Sequence, residues 1–270
     1  LLSDIPNHDG LDSMYFDQNM ITSGRWFLTV ACGISSYYTL PWIIGLLGLL
    51  YLSCAAAVVC EILEVRKTWA AAVCGGLLAA FPALASTFAY VFTLDGYMMA
   101  LLLAVLAVLF TKKYRLGFLP GAFCLAFSLG IYQGYLSFAM ILSVFSILML
   151  FASNGGNGGP AEKIKTALRY LWMGIAGTAL YYGILQVLLK IQGKRLADYQ
   201  GIEGMTSAAG SAGGLFSAMK GMYLDFLKFT LKGNILFQNF FSVTACILLA
   251  TAAGLAVLFL IRKRKGWKNK

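Results

Sequence analysis

A chain of 270 residues that is 60% hydrophobic and 12% charged carries about half the charge of an ordinary soluble domain, which argues against a water-soluble globular fold. Its formal net charge of +10 would suit a nucleic-acid partner. The basic residues, however, sit in turns between apolar runs, the pattern that orients membrane proteins, and no basic stretch interleaved with aromatics, of the kind that grips single strands, is present. The six cysteines, Cys32, Cys54, Cys60, Cys74, Cys124 and Cys246, form no CxxC pair and read as small apolar fillers rather than zinc ligands or disulfides.

Taken in chain order, the apolar runs predict an all-α fold: a polytopic transmembrane helical bundle of about seven spans with interfacial amphipathic helices. Residues 1–40 form an outer loop, acidic up to residue 24 (Asp4, Asp9, Asp12, Asp17) and followed at 25–36 by a short interfacial helix. Five spans fill 41–151. The first, 41–63, is about 35 Å long at 1.5 Å per residue, enough to cross a hydrocarbon core about 30 Å thick. The second, 69–92, is interrupted by Pro82, where a kink or break is expected. The third, 97–110, is short and follows a turn holding Asp95; the fourth and fifth, 116–131 and 135–151, flank Tyr132-Gln133. A glycine-rich linker lies within 152–167. The sixth span is 168–190. The stretch 191–238 is an outer loop carrying an amphipathic helix at 214–232, suited to lying on the membrane. The seventh span is 239–261 and a basic tail covers 262–270. The sequence opens at Leu1 on a polar segment, and a further span upstream and further chain downstream are expected.

Alternating spans put the turns at 66–67, 112–115, 163–169 and 262–270 on one side, with 14 of the 21 Lys and Arg residues. By the positive-inside bias that side is cytoplasmic. The other side receives eight of the eleven acids.

The outer acids are the first candidates for chemistry. His8, the single histidine, and Asp9 lie in Asn7-His8-Asp9-Gly10. A carboxylate there can take a proton from a sugar hydroxyl; the same residues also read as a solvated acidic loop. Asp95 is a lone acid between apolar runs, where a charge at bilayer depth costs about 2.5–3.5 kcal/mol; it reads equally as a helix N-cap. Arg25 and Trp26 suit either an interfacial anchor or, through the guanidinium, a phosphate clamp. Tyr132, Gln133 and Tyr135 suit an aromatic belt or a sugar-binding face. Lys194 and Arg195 suit a solvated loop start or an anion contact. No Walker A sequence and no Rossmann glycine pattern is present, so a transferase facing outward would need a donor carried by lipid.

Several stretches together carry a resemblance. Asn7-His8-Asp9-Gly10 is followed by Gln18-Asn19-Met20-Ile21 and Ser23-Gly24-Arg25-Trp26. Then come Phe81-Pro82-Ala83-Leu84, Phe88-Ala89-Tyr90-Val91-Phe92, Asp95-Gly96-Tyr97, and Ser128-Leu129-Gly130-Ile131-Tyr132-Gln133 before Tyr135-Leu136-Ser137. Over residues 5–150 this resembles the glucosyl transferase II family of bacterial membrane proteins. The resemblance implies a GT-C-like architecture in the bacterial plasma (inner) membrane, with an outward-facing active site. It implies a polyprenyl-phosphate-linked glucose donor and a surface glycan acceptor. It assigns Asp9 as the base, with Asp4 as substitute, Asp95 as a second outer acid, and Arg25 at the donor phosphate. Family members usually carry one more preceding span and more following ones.

The function expected is therefore transfer of glucose or another hexose, with Asp9 and Asp95 catalytic. Asp4, His8, Arg25, Trp26, Tyr132, Gln133, Tyr135, Lys194 and Arg195 bind substrate. No cofactor is required, a divalent metal is left open, and the partners are donor, acceptor and bilayer, not nucleic acid. The alternatives are a transporter or flippase, which would need ionisable residues in mid-span, and a non-enzymatic assembly subunit. A cysteine introduced at His8 in a chain stripped of its own cysteines is predicted to react with an impermeant maleimide added to intact cells. Reaction only after the membrane is opened would sink this orientation.

Overall fold

The computed structural model describes residues 20–33, 40–152, 160–197 and 212–227, with scattered positions between 244 and 258. Asp4, His8 and Asp9 lie outside the described residues, as does much of the expected seventh span, whose described positions are helical. Among the described residues every regular element is helical and no strand occurs. It divides into two units, Leu1–Ala197 and Asp198–Lys270.

In the first unit the elements are α1 (Leu28–Ala31), α2 (Pro41–Ile62), α3 (Thr68–Ala80), α4 (Pro82–Thr87), a 3₁₀ turn (Val91–Thr93), α5 (Leu94–Lys113), α6 (Phe118–Ile131), α7 (Tyr135–Ala152) and α8 (Pro160–Gln192). The second contains α9 (Ala212–Leu227), with Phe216, Lys220, Tyr223, Leu224 and Asp225 exposed.

Among the described residues four stretches are long and apolar enough to cross a membrane: Pro41–Ile62, Val91–Lys113, Tyr135–Ala152 and Pro160–Gln192. Seven spans are therefore not confirmed, the seventh lying largely outside the described residues, and where the described helices differ from the expected runs the causes are local. The run 69–92 is cut between α3 and α4, because Pro82 lacks an amide hydrogen and pushes the residue before it out of the helical region; Phe81 is extended at ψ 126°. The run 116–131 yields only the 14 residues of α6, about 21 Å of helix. The third span, expected to be short, instead starts at Leu94 and ends at Lys113, so Asp95 lies inside its first turn rather than in a loop. Of the expected interfacial helix at 25–36, the described part is helical at Leu28–Ala31, which form α1, and at Gly33.

α5 is the central helix, packed by α2, α6 and α7. On α2 the buried residues Ile44, Gly48, Leu52, Ala55, Val59 and Ile62 recur every three or four positions, a single stripe facing α5 while leucines such as Leu46 and Leu50 face outward. Small residues let α6 approach its neighbours closely, as helix pairs in lipid require. A Cβ on Gly121 would stand 2.8 Å from the Ala107 carbonyl and 2.8 Å from Thr111 Oγ1. The Ser128 hydroxyl donates to the Ala100 carbonyl at 2.7 Å.

The side-chain contacts sort the helix ends into two groups. At one end Lys112 donates to the Ile62 carbonyl (2.6 Å) and to Glu64 (2.8 Å), joining the end of α2 to the end of α5. Thr111 meets Met173 of α8 there. Glu64 holds the left-handed conformation (φ +57°) that lets the Glu64 and Val65 amides close α2 onto Glu61 and Cys60. The hydrogen bond from Lys112, and then its charge, hold the Glu64 carboxyl below the usual carboxylate range. The described basic turns at 66–67, 112–115 and 163–169 therefore share an end with the C-terminus of α5, and the segment 20–33 packs at the opposite one.

Gly121→Val is predicted to destabilise the folded protein by about 1–3 kcal/mol, because the added methyls meet backbone of α5. Gly76→Ala, where a Cβ meets nothing within 4 Å, is predicted to raise stability by roughly 0.5–1 kcal/mol. Thermal unfolding in one detergent compares them; equal melting temperatures would refute the close-packing account.

Candidate functional site

At the end of the bundle opposite the basic turns, residues 20–25 form a tight turn. The Gly24 amide donates to the Ile21 carbonyl (3.0 Å) and the Arg25 amide to the Met20 carbonyl (2.6 Å). This bond pair needs a left-handed residue, and Gly24 supplies it at φ +80°. The chain then runs into α1, whose start is fixed from α6: the Phe27 amide donates to the Gly130 carbonyl at 2.8 Å. Trp26 lies against Gly130, where a Cβ would stand 2.8 Å from its ring. Phe127 meets both Trp26 (5.4 Å between centroids) and Phe27 (4.7 Å) edge-on.

That anchoring places Arg25 beside Tyr97 of α5 and Tyr132 at the end of α6. Its guanidinium donates to the Tyr97 hydroxyl at 3.4 Å and sits 5.6 Å from the centroid of the Tyr132 ring, within cation–π range. Tyr132 in turn meets Tyr97 at 5.1 Å and Tyr135 at 5.5 Å. Tyr132 is exposed, so the group opens to its surroundings, while Arg25 is half-buried.

Asp95 lies two residues before Tyr97 and is 2% exposed. Its Oδ1 accepts from the Gly96 amide at 2.9 Å. A carboxylate in the first helical turn is favoured by the helix dipole. It is not the N-cap, a position held by Thr93.

Gln133 does not point to open space. Its amide nitrogen donates to the Ser23 carbonyl and to the Tyr181 hydroxyl, both at 3.1 Å, and the Tyr181 hydroxyl donates to the Gly24 carbonyl at 3.1 Å. Lys194 and Arg195 are exposed. Their segment reaches the same turn, since the Ala197 amide donates to the Thr22 carbonyl at 3.0 Å. It leaves α8 through a Gly193 closure in which the Gly193 and Lys194 amides return to Lys190 and Leu189.

The structure thus gathers Arg25, Trp26, Asp95, Tyr132, Gln133 and Tyr135 at one end of the bundle and brings the 194–197 strand of chain beside them. Tyr97 and Tyr181 were missed as site residues. Tyr97 carried a signal, an aromatic in the turn after Asp95. Tyr181 carried little, being one of two adjacent tyrosines in an apolar run, of which the half-buried Tyr181 turns inward and Tyr182 outward. Among the described residues no cluster of three or more His, Cys, Asp or Glu side chains could hold a metal ion.

A half-buried guanidinium with a tyrosine hydroxyl and a tyrosine ring face against it is suited to an anionic group attached to something with apolar or C–H faces. Comparison with known families gives a match to glucosyl transferase GtrII over residues 1–270. Curated proteins and solved structures give no match.

Gly24→Ala is predicted to cost about 1–2 kcal/mol for the left-handed backbone, and its methyl would also crowd the Tyr181 hydroxyl and Gln133. Trypsin should cut after Arg25 faster in this variant than in the parent. Unchanged cleavage would mean that the turn is not held as described.

Proposed function

The chain belongs to the glucosyl transferase GtrII family, which makes it a membrane glycosyltransferase, and from that premise we propose that it moves glucose from a polyprenyl-phosphate donor to a surface glycan on the outer face of a bacterial plasma membrane. The observation that carries this reading is the Arg25–Tyr97–Tyr132 group at the end of the bundle away from the basic turns. By the positive-inside bias that end faces outward, where activated nucleotide sugars are absent and a lipid must carry the sugar.

In this proposal the donor phosphate rests on Arg25, with Lys194 and Arg195 at the rim. Tyr132 and Tyr135 offer ring faces to the sugar. Asp9 takes the proton from the acceptor hydroxyl as its oxygen attacks the anomeric carbon. The bond from that carbon to the phosphate oxygen breaks, and the lipid phosphate departs with the electron pair, its charge stabilised by Arg25. One displacement inverts the anomeric centre. Asp95, the second acid of the reading, is buried and held at the start of α5. It fixes the turn on which Tyr97 rides rather than touching the acceptor. His8 and Asp4 share the loop of Asp9 and assist acceptor binding.

Asp9→Asn is predicted to lower transfer in membranes supplied with lipid-linked glucose and acceptor glycan by about 100-fold or more, the usual range for a lost general base. Arg25→Lys keeps the charge but loses the planar fork, and should raise the donor KM more than it lowers kcat. Near-normal transfer by Asp9→Asn would remove Asp9 from the role of base.

A further inference from the structure

We propose that Tyr181 is the positioning residue for Arg25, setting through its hydroxyl the peptide group from which the guanidinium springs; its bearing on donor binding rests on the reading of Arg25 as the phosphate-holding group. The peptide between Gly24 and Arg25 is held at both ends. Its N–H, on Arg25, donates to the Met20 carbonyl at 2.6 Å. Its carbonyl, on Gly24, accepts from Tyr181 at 3.1 Å. With both ends fixed, the plane of that peptide cannot rotate, and the direction in which the Arg25 side chain leaves the backbone is set.

The preceding peptide is tied as well, because Gln133 donates to the Ser23 carbonyl and shares its amide with the Tyr181 hydroxyl. The hydroxyl therefore works in both directions, accepting from Gln133 on the α6–α7 turn and donating to Gly24. It is the point where α8, the α6–α7 turn and the Arg25 turn meet. Gly24 leaves room for it, since a Cβ there would stand 2.5 Å from the Tyr181 oxygen. Tyr181 makes none of the ring contacts found around Arg25, so its influence on a ligand passes through the backbone.

The test is Tyr181→Phe, which keeps the ring and deletes the hydroxyl, with Tyr182→Phe at the neighbouring exposed tyrosine as control. In the purified wild-type protein the Arg25 amide should resist hydrogen exchange as strongly as amides inside α6. An unprotected Arg25 amide would overturn the proposal before any variant is made. In Tyr181→Phe, exchange at Arg25 should rise about tenfold, the scale of one lost hydrogen bond, while α5 amides keep their rates. In transfer assays with polyprenyl-phosphate glucose the donor KM should rise about tenfold, with kcat and acceptor KM within about twofold. In an Arg25→Lys background the same change should add little, because coupled residues are not additive. Equal losses for donor and acceptor, or independent effects of the two substitutions, would reduce Tyr181 to a general packing role and overturn the proposal. If the wild-type protein transfers no sugar from such donors, the functional reading fails, and the Arg25 exchange rates alone then decide whether Tyr181 positions the arginine.

Discussion

Helices in lipid gain no hydrophobic free energy from touching one another, because the surrounding tails are as apolar as their own side chains; close packing and interhelical hydrogen bonds must hold them. In this protein that requirement falls on α6, lodged between α5 and α8. Gly121 and Gly177 bring its neighbours near enough that added carbons would strike them, and Ser128 reaches the α5 carbonyl of Ala100. Everything at the Arg25 end follows from that contact. α6 delivers Gly130 and Phe127 to receive the segment 26–27 and ends in Tyr132, while α5 delivers Tyr97 to the same place and α8 delivers Tyr181.

The helical class was legible because backbone groups in lipid must satisfy one another, and runs of apolar residues leave no other solution. The Pro82 break was legible for an equally local reason. The boundaries were less so. Asp95 looked like a loop residue because a lone acid flanked by Thr93 and Gly96 is good turn composition. It is helical because the chain around it is buried by α1 and α2, a tertiary effect. Glu64 in a left-handed closure gave no signal either, since glycine is the usual occupant and the compensating partner, Lys112, lies far away in sequence. The site divides the same way. Arg25, Tyr132 and Gln133 could be picked out as polar or aromatic residues at the margins of apolar runs. Their mutual arrangement, and the part of Tyr181 in it, depends on hydrogen bonds spanning up to 157 positions, which no local pattern encodes.

The two ends of the bundle differ in how they are fastened. One is closed by an ion pair and a carbonyl contact around Lys112, partly exposed and open to screening. At the other the backbone of the Arg25 turn is held by neutral donors, Gln133 and Tyr181, on its carbonyls. Neutral bonds of that kind do not weaken with salt. The backbone from which the Arg25 guanidinium springs is therefore held by bonds that salt does not screen.

α3, finally, sets a condition on the lipid rather than on the protein. Its 13 residues contain no buried side chain, and at about 1.5 Å each they reach roughly 20 Å, well short of the hydrocarbon thickness that α2 beside it can match. Were α3 to face a bilayer without help from α4, lipid tails along that flank would compress or tilt to meet it, at fractions of a kcal/mol for each ångström of mismatch. An annulus of that kind would be uneven, thinned on the α3 side, and a change in acyl-chain length would bear on that side first.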